Sequence, residues 1–227
     1  MEKQIVNRLH QLFSAGKPLE YGKNEVILRA EDNPQGVYLL ESGYVRMCRV
    51  LEDGRELTFN IFKPGSFFPM MWVIGNISNN YDFHTMTQVK LKRLSKEKVL
   101  ELVKSDPDIF MDLMKRVLIG LDGILTNIEY LLSGSAYKRV ISVLLLSAKR
   151  FGEGDGQNKI KINLPLTHQD IANICGLTRE TVSLEIAALY RKKLISGKSS
   201  TLTILDIVRI KEEAGIYKDE VIGTPAL

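Results

Sequence analysis

The stretch "THQDIANICGLTRETVSLEIAALYRKKLISGKSSTLTI", residues 167–204, decides how the rest of the chain is read. Thr167 followed three residues later by Asp170 is a capping pair, which predicts the start of a helix. Gly176 supplies a tight turn, and Thr178 caps a second helix. Ala172 is small enough for close helix contact, and Val182 is placed to enter the core. That spacing is a helix–turn–helix. "LISGKSSTLTI" then predicts a two-stranded wing with Gly197-Lys198 in the turn at its tip. At the front of the second helix, Arg179, Glu180 and Ser183 share one face by their i, i+1, i+4 offsets. Arginine bonds guanine O6 and N7 bidentately, and glutamate accepts from cytosine N4. Arg191, Lys192, Lys193 and Lys198 add charge for phosphates, which position a protein without specifying sequence. The plainer alternative for Arg179 and Glu180 is a pair of solvated first-turn charges.

The chain has 227 residues and a net charge of +4, unevenly spread. Residues 1–134 carry 17 basic and 17 acidic side chains, residues 135–198 carry 11 and 5, and residues 199–227 carry 3 and 5. The excess of +6 therefore sits in the segment that holds the helix–turn–helix, as a phosphate-binding surface requires.

Composition sets further bounds. The chain is 44% hydrophobic and 26% charged without a biased tract, as in an ordinary globular protein. The longest apolar run, "VISVLLLSA" at residues 140–148, is too short for a bilayer and is broken by serines. The opening "MEKQIVNRLHQLF" lacks the apolar core of a signal peptide, so a cytoplasmic protein is expected. Cys48 and Cys175 lie far apart and suit reduced thiols. An iron–sulfur cluster wants about four ligands, more than these two cysteines supply.

Residues 24–95 alternate apolar and polar positions in short runs: "EVILRA", "GVYLLESG", "YVRMCRVL", "ELTFNIF" and "VKLKRLS". Gly43, Gly54 and Gly65 fall at intervals of 11, one strand plus one turn each. Asp53-Gly54 predicts a hairpin with a tight primed turn. The spacing predicts a small antiparallel roll with a jelly-roll-like path. Within it, "FFPMMWVIG" at residues 67–75 is almost unbroken apolar sequence and holds the only tryptophan. It reads as a core strand, or else as the wall of an internal pocket.

A metal-dependent enzyme built on such a barrel would want clustered histidines and a carboxylate. The chain offers His10, His84 and His168, and no metal site is expected. A Ser-His-Asp set, a phosphate-cradling glycine loop and zinc spacing are also missing, so the sequence does not read as an enzyme.

From about Lys96 the period changes to helical. A short helix ends before Asp106-Pro107, where Asp106 is placed to cap a second helix and Pro107 to open it. This second helix runs to about Ser133, with Gly134 as a stop. Phe110, Met114, Val117, Leu121, Ile124, Ile128 and Leu131 step by 4 and 3 in turn, the period of a coiled-coil seam. Met111, Leu118, Leu125 and Leu132 widen the stripe on one flank. The seam predicts a homodimer, with a flank of the helix covering the roll. A further amphipathic helix, residues 137–151, and a flexible "GEGDGQNK" lead into the helix–turn–helix.

"LTHQDIANICGLTRETVS" resembles the helix–turn–helix signature of the CRP/FNR family of bacterial transcription regulators. The order of roll, long helix introduced by "DPDIF" and winged helix agrees, over about residues 15–210, without a close match to one member. The resemblance implies an α+β fold. Its parts would be an antiparallel β-roll sensor domain (1–105), a dimerisation helix (106–134) and a winged helix–turn–helix (135–227). It implies a homodimer on double-stranded DNA carrying a palindromic operator. A small-molecule effector in the roll would alter the pose of the DNA-reading helices, and an activator would also contact RNA polymerase. Thr167, Thr178, Arg179, Glu180, Ser183, Arg191, Lys193 and Lys198 are the DNA-binding candidates. The family has an arginine after the serine of this motif, whereas Leu184 and Glu185 follow Ser183 here. That departure implies altered readout at one base per half-site. Its alternative is a ligand-binding or non-specific DNA-binding protein that has lost base specificity.

Members that bind cyclic nucleotides carry a Gly-Glu pair and an arginine for the cyclic phosphate. No glutamate occurs in residues 67–80 and no arginine between Arg55 and Arg93. A cyclic phosphate buried there would lack a cation, which argues against cyclic AMP. On the long helix, Ile124 and Leu125 stand where those members have polar base contacts. Oxygen-sensing members use cysteines near the N-terminus, and this chain has none before Cys48. Haem-binding members point to His84 as an axial ligand beside Met70 and Met71, although a lone histidine at a strand end is more often structural. Phe68, Met70, Met71, Trp72, Tyr81 and His84, with Ile124 and Leu125, are the effector-pocket candidates.

Overall fold

The computed structural model describes residue 8 and residues 11–156, 158–198 and 201–215, with the side chains of residues 127, 130–133 and 198 outside the description. His10 and the side chains of Leu131, Leu132 and Lys198 thus lie outside the described residues. The fold is α+β, and the chain divides into two compact units, residues 1–124 and 125–227.

The first unit is a roll of two four-stranded antiparallel sheets. The strands are β1 (Lys17–Tyr21), β2 (Val26–Leu28), β3 (Val37–Ser42), β4 (Val45–Val50), β5 (Glu56–Phe62), β6 (Phe67–Phe68), β7 (Asp82–Thr85) and β8 (Val89–Leu94). Their order is β1-β8-β3-β6 in one sheet and β2-β7-β4-β5 in the other. Strand alternation splits the apolar residues of β3 between two cores. Tyr38 and Leu40 meet Met47, Phe68, Phe83 and Leu91 between the sheets. Val37 and Leu39 face outward onto Phe13, Val73, Leu94 and Val99. Inside the roll, Phe68 stacks on Phe83 at 5.0 Å, Tyr38 on Phe68 at 5.5 Å, and Phe62 lies 5.1 Å from Phe68. Aromatic rings from both sheets therefore fill the interior of the roll.

Gly43, Gly54 and Gly65 all adopt left-handed backbone, with φ of 83°, 80° and 87°. The recurring glycine thus marks where the chain must reverse between strands. The β4–β5 hairpin forms, but not with the two-residue primed turn expected. The Gly54 N–H donates to the Leu51 carbonyl at 2.9 Å and Leu51 N–H donates to Arg55 at 2.8 Å, a longer loop with Gly54 left-handed. A β-carbon on Gly43 would lie 2.3 Å from the Gln88 carbonyl oxygen, whereas one on Gly54 meets nothing within 4 Å. Gly54→Ala is expected to cost about 1 kcal/mol of strain alone, and Gly43→Ala roughly 3 kcal/mol because crowding against backbone is added. Urea unfolding of both variants measures the difference; equal costs would show that the Gln88 backbone yields.

"FFPMMWVIG" is not one strand. It forms β6, then Pro69, then helix α1 (Met70–Gly75), which Asn76 closes in left-handed conformation. Proline ends the ladder because it has no N–H to donate. Helix α2 (Lys96–Ser105) follows, capped by Ser95, whose hydroxyl accepts from Lys98 N–H.

Helix α3 (Pro107–Ser133) spans 27 residues. Asp106 caps it, accepting at Oδ1 from the Asp108 and Ile109 N–H groups at 3.1 and 3.3 Å. Ile109 and Leu113 are buried against Phe67, Met70, Leu102 and Val103. Arg116 continues that face, paired with Asp112 at 2.6 Å and lying over the Phe67 ring. The flank that covers the roll is therefore Ile109–Leu113–Arg116, not the Met111–Leu118 flank, since Met111 and Leu118 are 63% and 57% exposed. Phe110, Met114, Val117, Leu121, Ile124 and Ile128 are 39–50% exposed.

The second unit holds α4 (Ala136–Phe151), β9 (Gly152–Gly154), β10 (Ile160–Ile162), α5 (His168–Cys175), α6 (Arg179–Arg191), β11 (Ile195–Lys198), β12 (Thr201–Ile204) and α7 (Ile207–Ala214). Its sheet order is β11-β12-β10-β9. The glycine-rich "GEGDGQNK", expected to be a flexible linker, instead supplies β9, which pairs with β10 from Gly152–Ile162 to Gly154–Ile160. Edge pairing needs only backbone, so it left no alternating side-chain pattern to recognise.

Candidate nucleic-acid interface

Two caps position the two helices. Thr167 accepts at Oγ1 from the Asp170 N–H at 3.1 Å, and Asp170 accepts from the Thr167 N–H at 2.8 Å, a complete capping box on α5. Gly176 ends α5 with φ 64° and donates its N–H to the Ala172 carbonyl. Thr178 then accepts from the Thr181 N–H at 3.2 Å and starts α6. Left-handed Gly176 turns the chain between two capped helices in three residues, Gly176, Leu177 and Thr178.

One face of α6 is core: Val182, Ile186 and Leu189 are buried. The opposite face is open. Arg179, Glu180, Leu184, Ala187 and Arg191 are exposed. The caps thus hold Arg179 and Glu180 at the leading end of the helix, with no hydrogen bond or ion pair to another side chain among the described residues.

Ser183 is placed differently. It is half-buried, and its Oγ lies 2.8 Å from the Arg179 carbonyl and 2.8 Å from His168 Nδ1. The carbonyl only accepts, so the single hydroxyl proton goes there and Nδ1–H of His168 donates to Oγ. Ser183 keeps one lone pair and can only accept from a base. His168 ties the first residue of α5 to the second turn of α6. The sequence reading missed this role, because a contact 15 residues apart across a turn leaves no periodic signal.

The cations after α6 also divide. Arg191 and Lys193 are exposed, and Lys193 holds left-handed backbone at φ 55°. Lys192 is engaged within the fold: it pairs with Glu213 and lies 4.9 Å over the Tyr137 ring, whose hydroxyl donates to Glu213 at 3.0 Å, so a phosphate would compete with that pair. Tyr190 fixes the wing to α6 by donating to the Gly197 carbonyl at 2.6 Å. Gly197 and Lys198 were expected in the turn of the wing, but they belong to β11 and pair with Leu202 and Thr201.

The effector-pocket candidates do not converge. Phe68 is in the core between the sheets, with Tyr81 packed on its edge. Met70 and Trp72 pack on the other side of the β3 sheet. Met71 is 45% exposed. His84 follows core residue Phe83 on β7 and so points out of the roll, away from Met70 and Met71. The axial pairing expected for a haem is thus not assembled. Ile124 and Leu125 are exposed, at 39% and 53%.

His84 meets a cluster that the sequence did not reveal. A ligand atom each of Cys48, Glu56 and His84 lie within 4.8 Å of one another on three adjoining strands. These residue types can hold a soft divalent metal. The Arg46 guanidinium already supplies the cation, however, with Nε 3.1 Å from Glu56. Burial and the Glu56 charge push the Cys48 thiol up to about 12, and burial together with Arg46 lowers the His84 pKa, so both stay neutral at pH 7. The cluster is an ion pair with two neutral neighbours, and a metal ion would have to displace Arg46. Cys175, the other buried thiol, is likewise raised to about 12 by burial. No helix among the described residues is long and apolar enough to cross a membrane.

Known proteins resemble both units. The cyclic nucleotide-binding domain family matches residues 18–106, and the Crp-like helix-turn-helix domain family matches residues 138–213. A global nitrogen regulator of Nostoc sp. is 29% identical over 215 residues, 89% of this chain and 93% of that protein. The nitrogen fixation regulation protein FixK of Azorhizobium caulinodans is 28% identical over 190 residues, 84% of this chain and 75% of that one. A solved CRP/FNR-family transcriptional regulator of Thermus thermophilus superposes with a TM-score of 0.68 at 26% identity, covering 88% of this chain and 98% of that one.

Proposed function

The chain belongs to the CRP/FNR family of transcription regulators, which bind DNA and are not enzymes, and on that premise we propose that it works as a homodimer reading a palindromic operator. The observation that carries this reading is the open face of α6, where two caps present Arg179 and Glu180 to solvent with no side-chain partner among the described residues. Arg179 takes guanine O6 and N7, Glu180 takes a cytosine amino group, and Ser183 accepts from a neighbouring amino group. Thr167, Thr178, Arg191, Lys193 and Lys198 line the adjoining backbone and contact phosphates. The exposed seam of α3 pairs two protomers, and residues 1–105, 106–134 and 135–227 act as sensor, dimer helix and reader.

The roll takes an effector other than cyclic AMP. What supports this is an interior filled by Phe62, Phe68 and Phe83, together with the lack of an arginine between Arg55 and Arg93 to neutralise a cyclic phosphate. The regulator works in the cytoplasm, where its operator lies, and meets RNA polymerase there if it activates.

Selection from a random duplex library with the purified protein tests the reading. The expected result is a palindrome with half-site centres about 34 Å apart, one helical turn. Purely unselective binding, steep in salt and unchanged by adding cell extract, would favour a protein that has lost base specificity.

A further inference from the structure

Leu184 is 70% exposed, more than any other large apolar side chain among the described residues. It is not part of the fold's core, since the buried face of α6 is Val182, Ile186 and Leu189. A single exposed leucine is ordinary on a protein surface. This one stands on the open face of α6 opposite Val182, Ile186 and Leu189, one turn beyond Glu180 and only 40° from it around the helix axis at 100° per residue. Four residues advance about 6 Å, and base pairs stack at about 3.4 Å, so Leu184 reaches a base pair one or two steps from that met by Glu180.

From these placements we infer that Leu184 reads the 5-methyl group of a pyrimidine in the major groove, making it a specificity-determining residue for the operator. This rests on the base-reading role proposed for α6. Leucine has no donor or acceptor, so it cannot recognise the O6, N7 or amino groups that mark the other base edges. The one apolar feature of the major-groove edge is the methyl carbon at C5, present on thymine and on 5-methylcytosine and absent from cytosine and uracil. Covering a guanine or cytosine edge with leucine removes water from polar atoms and gives nothing back. Covering a methyl group removes apolar surface from water on both partners. The choice is therefore made from both sides: a methyl group is favoured and a bare polar edge is penalised.

The test uses the full-length protein and the duplex recovered by selection, with binding followed by fluorescence anisotropy. Each thymine of the half-site is replaced in turn by uracil, which deletes the methyl and leaves every hydrogen-bonding group intact. At one position per half-site the replacement is expected to weaken binding roughly fourfold, the equivalent of one buried methyl, and roughly fifteenfold when both half-sites are changed. Leu184→Ala should lose that sensitivity at that position alone. Converting the same base pair to place cytosine there should weaken wild-type binding, and 5-methylcytosine should restore part of the loss. Restoration identifies the methyl group as what is read, whichever base carries it. Sequence-selective binding with no methyl-sensitive thymine, or equal sensitivity in Leu184→Ala, overturns this inference and leaves the regulator reading standing. A library that returns no preferred sequence, with or without cell extract, overturns both.

Discussion

Leu121→Asp is expected to turn the proposed dimer into a monomer and to remove its operator binding while leaving the fold intact. Leu121 lies mid-seam on α3, 49% exposed, between Val117 and Ile124 in a row of apolar residues left half-exposed among the described residues. In a symmetric dimer each substitution is present twice, near the axis that relates the two helices. Each copy gives up the burial of a leucine, roughly 2 kcal/mol, and sets a carboxylate against apolar surface at a further roughly 1–3 kcal/mol. Two copies together come to roughly 6 kcal/mol or more, about 10⁴-fold in the dimerisation constant. The monomer keeps its helix because Ile109 and Leu113 anchor the other face beside Phe67 and Met70. Without its partner one α6 meets one half-site, and binding falls toward the salt-sensitive range of about 10⁻⁴–10⁻⁶ M. Sedimentation equilibrium reads the mass, circular dichroism reads the fold, and anisotropy reads the binding. A Leu121→Asp protein that sediments as a dimer would move the interface off this seam.

The parts of the fold that were legible in the sequence are those fixed by local chemistry. Thr167-Asp170, Gly176 and Thr178 set the helix–turn–helix because a cap and a left-handed turn are satisfied within four residues. Gly43, Gly54 and Gly65 marked the strand reversals because each needs positive φ. The α3 seam was visible because one period holds from Phe110 to Ile128. Contacts between distant segments were not legible. Charge counting placed Lys192 among the phosphate-binding cations, yet Glu213 and Tyr137 arrive on other helices and hold it. The resemblance to haem-binding members sets His84 beside Met70 and Met71, but sheet register sets it against Arg46, with Cys48 and Glu56 nearby. Register also explains "FFPMMWVIG": only its first two residues pair with β3, and Pro69 releases the rest to form α1. The reading face of α6 was predicted from offsets alone, but which of its polar groups remain free took coordinates. Arg179 and Glu180 are open, and Ser183 is already engaged.

Arg179→Ala and Arg191→Ala are expected to fail in different ways, and the difference identifies which arginine reads bases. Both side chains are exposed on α6, one at its first residue and one at its last. A bidentate arginine–guanine pair discriminates by roughly 1–3 kcal/mol, so losing it from both half-sites weakens the selected operator roughly 30- to 10⁴-fold. Alanine at this first-turn position keeps the Thr178 cap and removes a cation from the positive end of the helix dipole, so stability should not fall. Repeating the selection with Arg179→Ala should no longer enrich guanine at one position per half-site, with the slope of log affinity against log salt nearly unchanged. Arg191→Ala should instead weaken every duplex alike and make that slope shallower by about one per protomer, because one phosphate contact and its counterion release are gone. If Arg179→Ala also lowers the slope and leaves guanine enrichment intact, Arg179 binds backbone. Base choice would then fall to Glu180, Ser183 and Leu184, with the Arg179 side chain alone turned to the phosphate backbone.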